Sequence, residues 1–379
     1  MIYFNKPYVS KFGLKLLENV IKSNSFSGNG KYSNLCQQYF ENKYGFKKCL
    51  LTTSCTDALE MAAILLNIQN DDEVIMPSYT FVSTANSFVL RGAKIIFVDS
   101  RSDHPGINEN NIENLITKRT KAIVVVHYAG VACDMNKIMS IAKKYGLYVI
   151  EDAAQSINSF YRKNPLGSIG HLSTFSFHET KNIQCGEGGM LVINDIKFIE
   201  RAEIILEKGT NRRKFFRSEV DKYSWVDIGS SFLPSEFTSA ILFSQLKYLE
   251  KIHNKRCILW NLYFKELESI SSNDFILPHI PKFASNNAHI FYLICKDLKT
   301  RNSLIKFLKA NDIQAVFHYG SLHNSQFYRD KYNGPILVNS DHFSDTLIRL
   351  PLYYNLKISE VKHICKIIKQ FFSSKNITL

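Results

Sequence analysis

Ser176-Phe-His-Glu-Thr-Lys181-Asn182, running on to Gly186-Glu-Gly-Gly189, is the stretch on which the reading of this 379-residue chain turns. A lysine sits a few residues beyond an apolar run, in a turn rich in small residues. The glycines that follow let backbone pass close to a flat ligand. Upstream stands Glu151-Asp152-Ala-Ala-Gln155, directly after Leu147-Tyr-Val-Ile150. Together the two stretches supply an amine (Lys181), a carboxylate (Asp152) and a hydroxyl (Ser176). Those are the groups needed to hold pyridoxal 5'-phosphate (PLP): an amine to condense with its aldehyde, a carboxylate for its ring nitrogen, a hydroxyl for its phosphate. A lone lysine is far more often a surface charge. The neighbours of Lys181 are what raise it above that.

The other candidates gather around these two stretches. Asp152 ends a buried strand, where open α/β sheets bind ligands; on its own it reads equally well as a helix cap for Ala153-Ala154. Gln155 is near enough in sequence to reach the ring's phenolic oxygen, or is a plain surface amide. Thr52-Thr53-Ser54-Cys55-Thr56-Asp57-Ala58 follows a strand and opens a helix, so its amides and hydroxyls suit a phosphate, although such clusters are commonly caps. In Tyr79-Thr-Phe-Val-Ser-Thr84, Phe81 is the candidate to stack on the ring; an aromatic there more often packs a core.

Outward from the site, apolar runs at 49–52, 73–76, 95–98, 122–127, 148–151, 174–178 and 190–193 predict seven strands. Their apolar character is continuous, as in a sheet covered on both faces. Helical spacing predicts helices at 58–66, 83–90, 111–116, 135–145 and 196–208, an exposed basic loop over 209–221, and one long helix over 235–267. A smaller unit follows: strand 290–295, helix 301–311, strand 315–318 and a terminal helix 359–372. The pattern is α/β doubly wound, with a large domain over 1–250 and a small α+β domain over 251–379.

Composition excludes several classes. With 45% hydrophobic and 21% charged residues, the chain is that of a globular protein. No run approaches a membrane span and the first residues lack a secretion signal, so a cytoplasmic location is expected. The eight cysteines include no Cys-x-x-Cys pair and are expected to be reduced. A formal charge of +13 favours anionic partners. The basic residues are dispersed and carry no nucleic-acid motif, which favours a phosphate-bearing substrate over nucleic acid. His178-Glu179-Thr180-Lys181-Asn182 begins like a zinc-protease motif but has Asn182 at the second histidine. Gly28-Asn29-Gly30 lacks the third glycine of a dinucleotide fingerprint, and His127, Cys133 and His171 lack ligand spacing. No metal is expected.

Glu151-Asp-Ala-Ala-Gln155, Ser176-Phe-His-x-x-Lys181-Asn and Gly186-Glu-Gly-Gly189, with Pro77-Ser-Tyr-Thr-Phe-Val-Ser-Thr-Ala-Asn86 and Val126-His-Tyr-Ala-Gly130, resemble the DegT/DnrJ/EryC1/StrS sugar-nucleotide aminotransferases essentially end to end. The resemblance implies a fold-type I PLP enzyme with a mixed, mostly parallel seven-stranded sheet, working as a homodimer with shared active sites. Carried over, Lys181 is the Schiff-base lysine and proton shuttle, Asp152 pairs with the ring nitrogen, Gln155 contacts the phenolic oxygen and Phe81 covers the ring. Ser176, Cys55 and Thr56 hold the phosphate. Relatives place a partner asparagine on that phosphate from a Gly-Tyr-Asn-Tyr segment. Here the segment is Gly229-Ser230-Ser231-Phe232, leaving Ser231 as a shorter substitute. Arg212, in Arg212-Arg213-Lys214, would reach the partner's substrate site, and His318, Tyr319 and His323 match a substrate-side segment in which Ser321 replaces the usual proline.

Stretches such as Asp72-Glu-Val-Ile-Met-Pro-Ser-Tyr-Thr-Phe-Val-Ser-Thr84 and Glu207-Lys-Gly-Thr-Asn-Arg212 most resemble family members that aminate dTDP-4-dehydro-6-deoxy-D-glucose, and the resemblance implies that sugar nucleotide as acceptor, with glutamate the expected donor. Another keto sugar nucleotide, 3-keto or GDP-linked, stays open. Dehydratases on this scaffold carry histidine in place of the lysine. A non-catalytic anion-binding protein of the same fold is the competing class, and Lys181, Asp152 and Ser176 together weigh against it.

Overall fold

A computed structural model describes residues 1–271 and 274–375. Its strands are β1 (Lys48–Thr52), β2 (Glu73–Pro77), β3 (Lys94–Val98), β4 (Thr120–Val126), β5 (Tyr148–Asp152), β6 (Phe160–Tyr161), β7 (Asn164–Pro165), β8 (Leu172–Ser176), β9 (Gly189–Ile193), β10 (Phe275–Ile276), β11 (Phe291–Cys295), β12 (Val316–Phe317) and β13 (Leu347–Leu350). Among the described residues, seven strands form one sheet in the order β1-β9-β8-β5-β4-β2-β3. All pairings are parallel except those of β9 with β8 and β1. The expected seven strands and mostly parallel sheet are therefore present.

Burial explains why these runs read as continuously apolar. Along β4, Ala122 and Val124 pack on one face with the helix Cys55–Leu65, while Ile123 and Val125 pack on the other with the helix Met135–Tyr145. Alternate residues face opposite ways and both faces are covered, so both must be apolar. A second sheet, β10-β11-β13-β12, carries its own core with the helices Leu249–Glu268, Leu298–Ala310 and Ile358–Lys375. The helix Leu249–Glu268 joins the two cores: Leu249 and Ile252 pack with the large sheet, Leu259, Tyr263 and Leu267 with the small one. No helix among the described residues is long and apolar enough to cross a membrane.

Several expected elements differ. The long helix over 235–267 is two, Glu236–Leu246 and Leu249–Glu268, broken at Lys247-Tyr248. The break redirects the chain toward the second core. The segment 209–221 is not all loop: Arg212–Phe216 is helical, and Arg213 and Arg217 are tied to Glu203 at 3.0 and 2.8 Å. Over 111–116 only a 3-10 turn, Glu113–Leu115, forms. Two helices that periodicity did not mark, Lys11–Ser23 and Lys31–Tyr44, pack on Glu236–Leu246.

The second of these is capped from a distance. Its N-cap, Gly30, has no side chain to offer. Buried Glu236 supplies the acceptor instead, taking the N–H groups of Tyr32 (2.7 Å) and Ser33 (3.0 Å). A Cβ on Gly30 would stand 2.6 Å from that carboxyl carbon, so glycine there makes room for the foreign cap. Glu236→Ala leaves those donors buried and unpaired, and is expected to destabilise the fold by about 2 kcal/mol. Urea denaturation measures this, and an unchanged midpoint would show that the cap contributes nothing.

Candidate active site

Because β1, β2, β4, β5 and β8 run parallel, their carboxyl ends meet at one edge of the sheet. β9 runs the other way and begins there, with Gly189 opposite Thr52 and Ser176. Cys55, Phe81, Asp152 and Ser176 come together for that reason alone: each stands at or just past a strand end.

The end of β5 is anchored by Glu151, which is wholly buried. One oxygen accepts from Ile169 N–H (2.8 Å) and Gly170 N–H (2.6 Å). The other accepts from Gly167 N–H (2.9 Å) and from His127 Nε2–H (3.0 Å), whose Nδ1 accepts Cys133 N–H at 3.2 Å. Strand alternation then turns Asp152 to the opposite face, into the cavity. There Thr84 donates to one carboxylate oxygen (2.7 Å) and Ala154 N–H to the other (3.2 Å). Burial pushes the Asp152 carboxyl above its ordinary value despite these donors, and it has no ion-pair partner among the described residues.

Lys181 sits in the loop between β8 and β9. Phe177 N–H bonds Gly188 O (2.8 Å) and Glu179 N–H bonds Gly186 O (2.8 Å), closing the loop on itself. Gly186 takes φ +83°, a conformation glycine adopts freely. Lys181 is half-buried, and burial lowers its basicity below the ordinary lysine value of 10.5, against the opposing pull of Cys55 and Asp152. More of the amine is neutral as a result.

The helix Cys55–Leu65 points its N-terminus at the same space. Ser54 caps it, accepting Asp57 N–H at 3.0 Å. The N–H groups of Cys55 and Thr56 are the first of the helix and have no carbonyl behind them. A Cβ on Gly189 would lie 2.2 Å from Ser54 O and 2.4 Å from Cys55 N, so only glycine lets the helix start this close to β9. Burial and Asp152 keep the Cys55 thiol protonated. The Thr56 hydroxyl donates to Ser83 at 2.8 Å.

Aromatic groups make the opposite wall. Gln155 accepts Ala129 N–H (2.6 Å) and donates to Tyr319 OH (2.9 Å). His318 stacks on Tyr319 with centroids 3.6 Å apart, and its Nδ1 lies 2.6 Å from Tyr128 OH. Phe81 stands 6.0 Å from the Tyr319 ring. The N-terminal segment crosses the entrance. Ile2 pairs with Asp312 and Gln314, Asn5 donates to Glu179 O (3.1 Å), and Tyr8 O accepts from Gln184 and Gln245.

Lys181, Asp152, Gln155, Ser176, Cys55, Thr56, Phe81, His318 and Tyr319 thus line one cavity of about 630 Å³. Three expected site residues lie elsewhere. His323 is buried, its Nδ1 2.7 Å from Ser78 Oγ and its Nε2 3.5 Å from Asp341. Arg212 and Ser231 are exposed, Arg212 over the Phe216 ring at 5.1 Å and Ser231 bridged to Glu207. The structure adds residues the sequence did not single out: Thr84 behind Asp152, His289 and Arg349 on the cavity wall, and Phe4 and Asn5 at its mouth. Only Thr84 had a signal, its place in the stretch that carries Phe81.

An amine of lowered basicity, a buried carboxylate without a cation, and free amides at a helix start fit one ligand: an aldehyde bearing a basic ring nitrogen and a phosphate. Fold and site define a PLP-dependent transferase. Residues 7–369 match the DegT/DnrJ/EryC1/StrS aminotransferase family, and the chain belongs to that family; its cofactor is pyridoxal 5'-phosphate. An uncharacterized protein of Methanocaldococcus jannaschii, MJ1066, is 34% identical over 345 residues, 89% of each chain. Among solved structures, PseC of Helicobacter pylori, an aminotransferase involved in the biosynthesis of pseudoaminic acid, is 27% identical with a TM-score of 0.90, covering 98% of this chain and 99% of that one. The PLP-form of Spr1654 from Streptococcus pneumoniae, a sugar aminotransferase by its description, gives a TM-score of 0.89 at 22% identity over 98% and 99% of the two chains, a likeness of fold.

Two outcomes follow from the state of Lys181. PLP added to the cofactor-free protein is expected to give a visible absorbance band that Lys181→Ala lacks; a colourless loaded wild type would overturn the assignment. The neutral amine is the condensing form and grows as pH rises through the amine's pKa. The rate of PLP uptake should therefore climb with pH and level off below 10.5. Asp152→Asn removes a charge that holds the proton on, so its plateau should begin at lower pH, as stopped-flow absorbance can check.

Proposed function

We propose that this protein moves an amino group from glutamate to dTDP-4-dehydro-6-deoxy-D-glucose, forming dTDP-4-amino-4,6-dideoxy-D-galactose. The observation that carries the reading is that Lys181 and Asp152, far apart in sequence, face one cavity between the two cores. The particular acceptor is supported by the likeness of residues 72–84 and 207–212 to enzymes of that substrate. The chain's +13 charge suits a diphosphate.

When bound, PLP supplies an electrophilic carbon for amines and an electron sink for the electrons of a broken C–H bond. The chain's residues do the rest. Asp152, its two oxygens fixed by Thr84 and Ala154, would hold a proton on the ring nitrogen of the bound cofactor. Lys181 Nζ takes the proton from glutamate Cα in the first half of the cycle and returns one to sugar C4 in the second. Burial suits it to both tasks, because the lowered basicity leaves the amine able to accept as well as to give. Ser176 Oγ accepts His178 N–H at 3.3 Å, which leaves its own proton for the phosphate beside the Cys55 and Thr56 amides. Gln155, held by Ala129 N–H and Tyr319 OH, would present its amide to the phenolic oxygen, and Phe81 would cover the ring. Leu350 and Leu352, both buried, supply apolar wall beside the reacting atoms.

His318 and Tyr319 face the substrate. His323 acts one step back, positioning the Ser78 turn. Arg212 and Ser231 serve the partner's site in a homodimer. Supporting this, Trp225 is 80% exposed in the isolated chain, and Phe216 and Tyr223 are exposed beside Arg212, a surface suited to cover by a second copy.

A panel of dTDP- and GDP-linked 4-keto and 3-keto sugars, each assayed with glutamate and with NMR on the product, tests the substrate. Turnover of a 3-keto or GDP-linked sugar alone would refute it. In the dimer, Arg212→Ala should lose activity roughly tenfold or more, and mixing it with a Lys181→Ala chain should recover part of the activity. No recovery in mixed dimers means the arginine serves its own chain or none.

A further inference from the structure

Arg349 lies on β13, in the middle of the small sheet, and is the only arginine on the cavity wall among the described residues. Its guanidinium is poorly satisfied. Nη2 donates to Phe317 O at 3.2 Å, the group lies 4.8 Å from the Phe4 ring centroid, and Nε is buried without a partner. It forms no ion pair among the described residues. Other half-buried or buried arginines are treated differently. Arg101 pairs with Asp103 and Glu109, Arg213 with Glu203 and Glu207, and wholly enclosed Arg256 donates to the carbonyls of Ala288 and His289. Arg301 also has unpaired donors, but it lies behind the Phe317 ring and off the cavity.

Arg349 is half-buried, so part of its guanidinium still meets water, but a cation with a buried, unpartnered nitrogen and no anion beside it is unfavourably placed, and an incoming anion relieves it. The cavity offers no anion of its own for this one. Of its two carboxylates, Asp152 is bound to Thr84, and Glu187 is exposed with His178 3.6 Å away. The neighbouring imidazoles do not compete for an anion either. Burial, with the charge of Arg349 adding, holds His289 and His318 well below the ordinary histidine value, so both are neutral. The same charge reaches Lys181.

Geometry chooses the anion. In an amino acid, the carboxylate is bonded to the carbon that bears the reacting amine, so it must sit beside the place where Lys181 works. In a nucleotide sugar, the diphosphate is a sugar ring's width from the keto carbon. A planar five-donor fork on the wall near Lys181 matches a carboxylate held at two points. We propose that Arg349 is the residue that recognises the amino donor, gripping its α-carboxylate; this rests on the aminotransferase reading above and names the donor side of the same site.

The two halves of the reaction separate the possibilities. Glutamate is mixed with the PLP-loaded protein and the loss of visible absorbance is followed. The keto sugar nucleotide is mixed separately with protein loaded directly with pyridoxamine phosphate. Arg349→Gln should raise the glutamate concentration for half-saturation about 100-fold, and Arg349→Lys, which keeps the charge but not the fork, about tenfold. The nucleotide-sugar half should stay within about threefold of wild type. Calorimetric titration of the PLP-loaded protein with glutarate, which has no amine to transfer, should show the same ranking of affinities. That arm survives even if none of the tested sugars is an acceptor, so a wrong acceptor and a wrong role for Arg349 give different results. The proposal fails if glutamate saturation and glutarate binding are unchanged in Arg349→Gln, if only the nucleotide-sugar half weakens, or if both halves weaken alike in Arg349→Lys with a lowered melting temperature.

Discussion

The buried carboxylate of Glu151 is the fixed point of this molecule. Four donors converge on it, from the end of β4 and from the turn that leads into β8. It locks together three consecutive stretches of the sheet at the edge where ligands bind. A charge taken out of water is tolerable only when its lone pairs are filled, and here they are. Its neighbour inherits the benefit. Strand geometry turns Asp152 to the opposite face, where Thr84 and Ala154 then fix its oxygens, so a structural carboxylate on one face sets the direction of a functional one on the other. A slip of one residue in β5 would exchange their faces and destroy both.

The cavity's electrostatics follow from its enclosure. Burial raises Asp152, lowers Lys181 and lowers two histidines, each away from its charged form. The site thus shifts several groups toward neutrality before a ligand arrives. A ligand bringing a ring cation for Asp152 and a phosphate for the helix start restores complementary charge where the protein alone leaves it missing. This is how binding energy and reactivity come from one arrangement.

Much of this could be read in the chain itself. The strands were legible because both faces of the sheet are covered, so Val74 to Met76 of β2, Ala122 to Val126 of β4 and Met190 to Ile193 of β9 are apolar without a break. Lys181 stood out because a strand, small residues and glycines surround it. The helices Lys11–Ser23 and Lys31–Tyr44 escaped because their stability comes from partners far along the chain, notably Glu236. Arg349 escaped for a related reason. Nothing in Leu347-Ile-Arg-Leu350 marks the arginine, and only the folding of the small sheet against the large one gives it a cavity to face. Arg212, Ser231 and His323 were named from resemblance, and one chain alone places them off the cavity. The break at Lys247-Tyr248 was invisible because helical spacing continues across it.

The first residues of the chain close the mouth of the cavity by pairing with residues about 310 positions later. During synthesis, Lys181, Asp152 and the whole large sheet emerge well before Gln314 does. A nascent chain can therefore assemble the catalytic floor while its doorway is only half fastened: Asn5 and Tyr8 already have Glu179, Gln184 and Gln245 to hold, but Ile2 and Phe4 still wait for Asp312 and Gln314. The cavity's mouth is thus the last part of the pocket to be secured, because one of its two posts is made late.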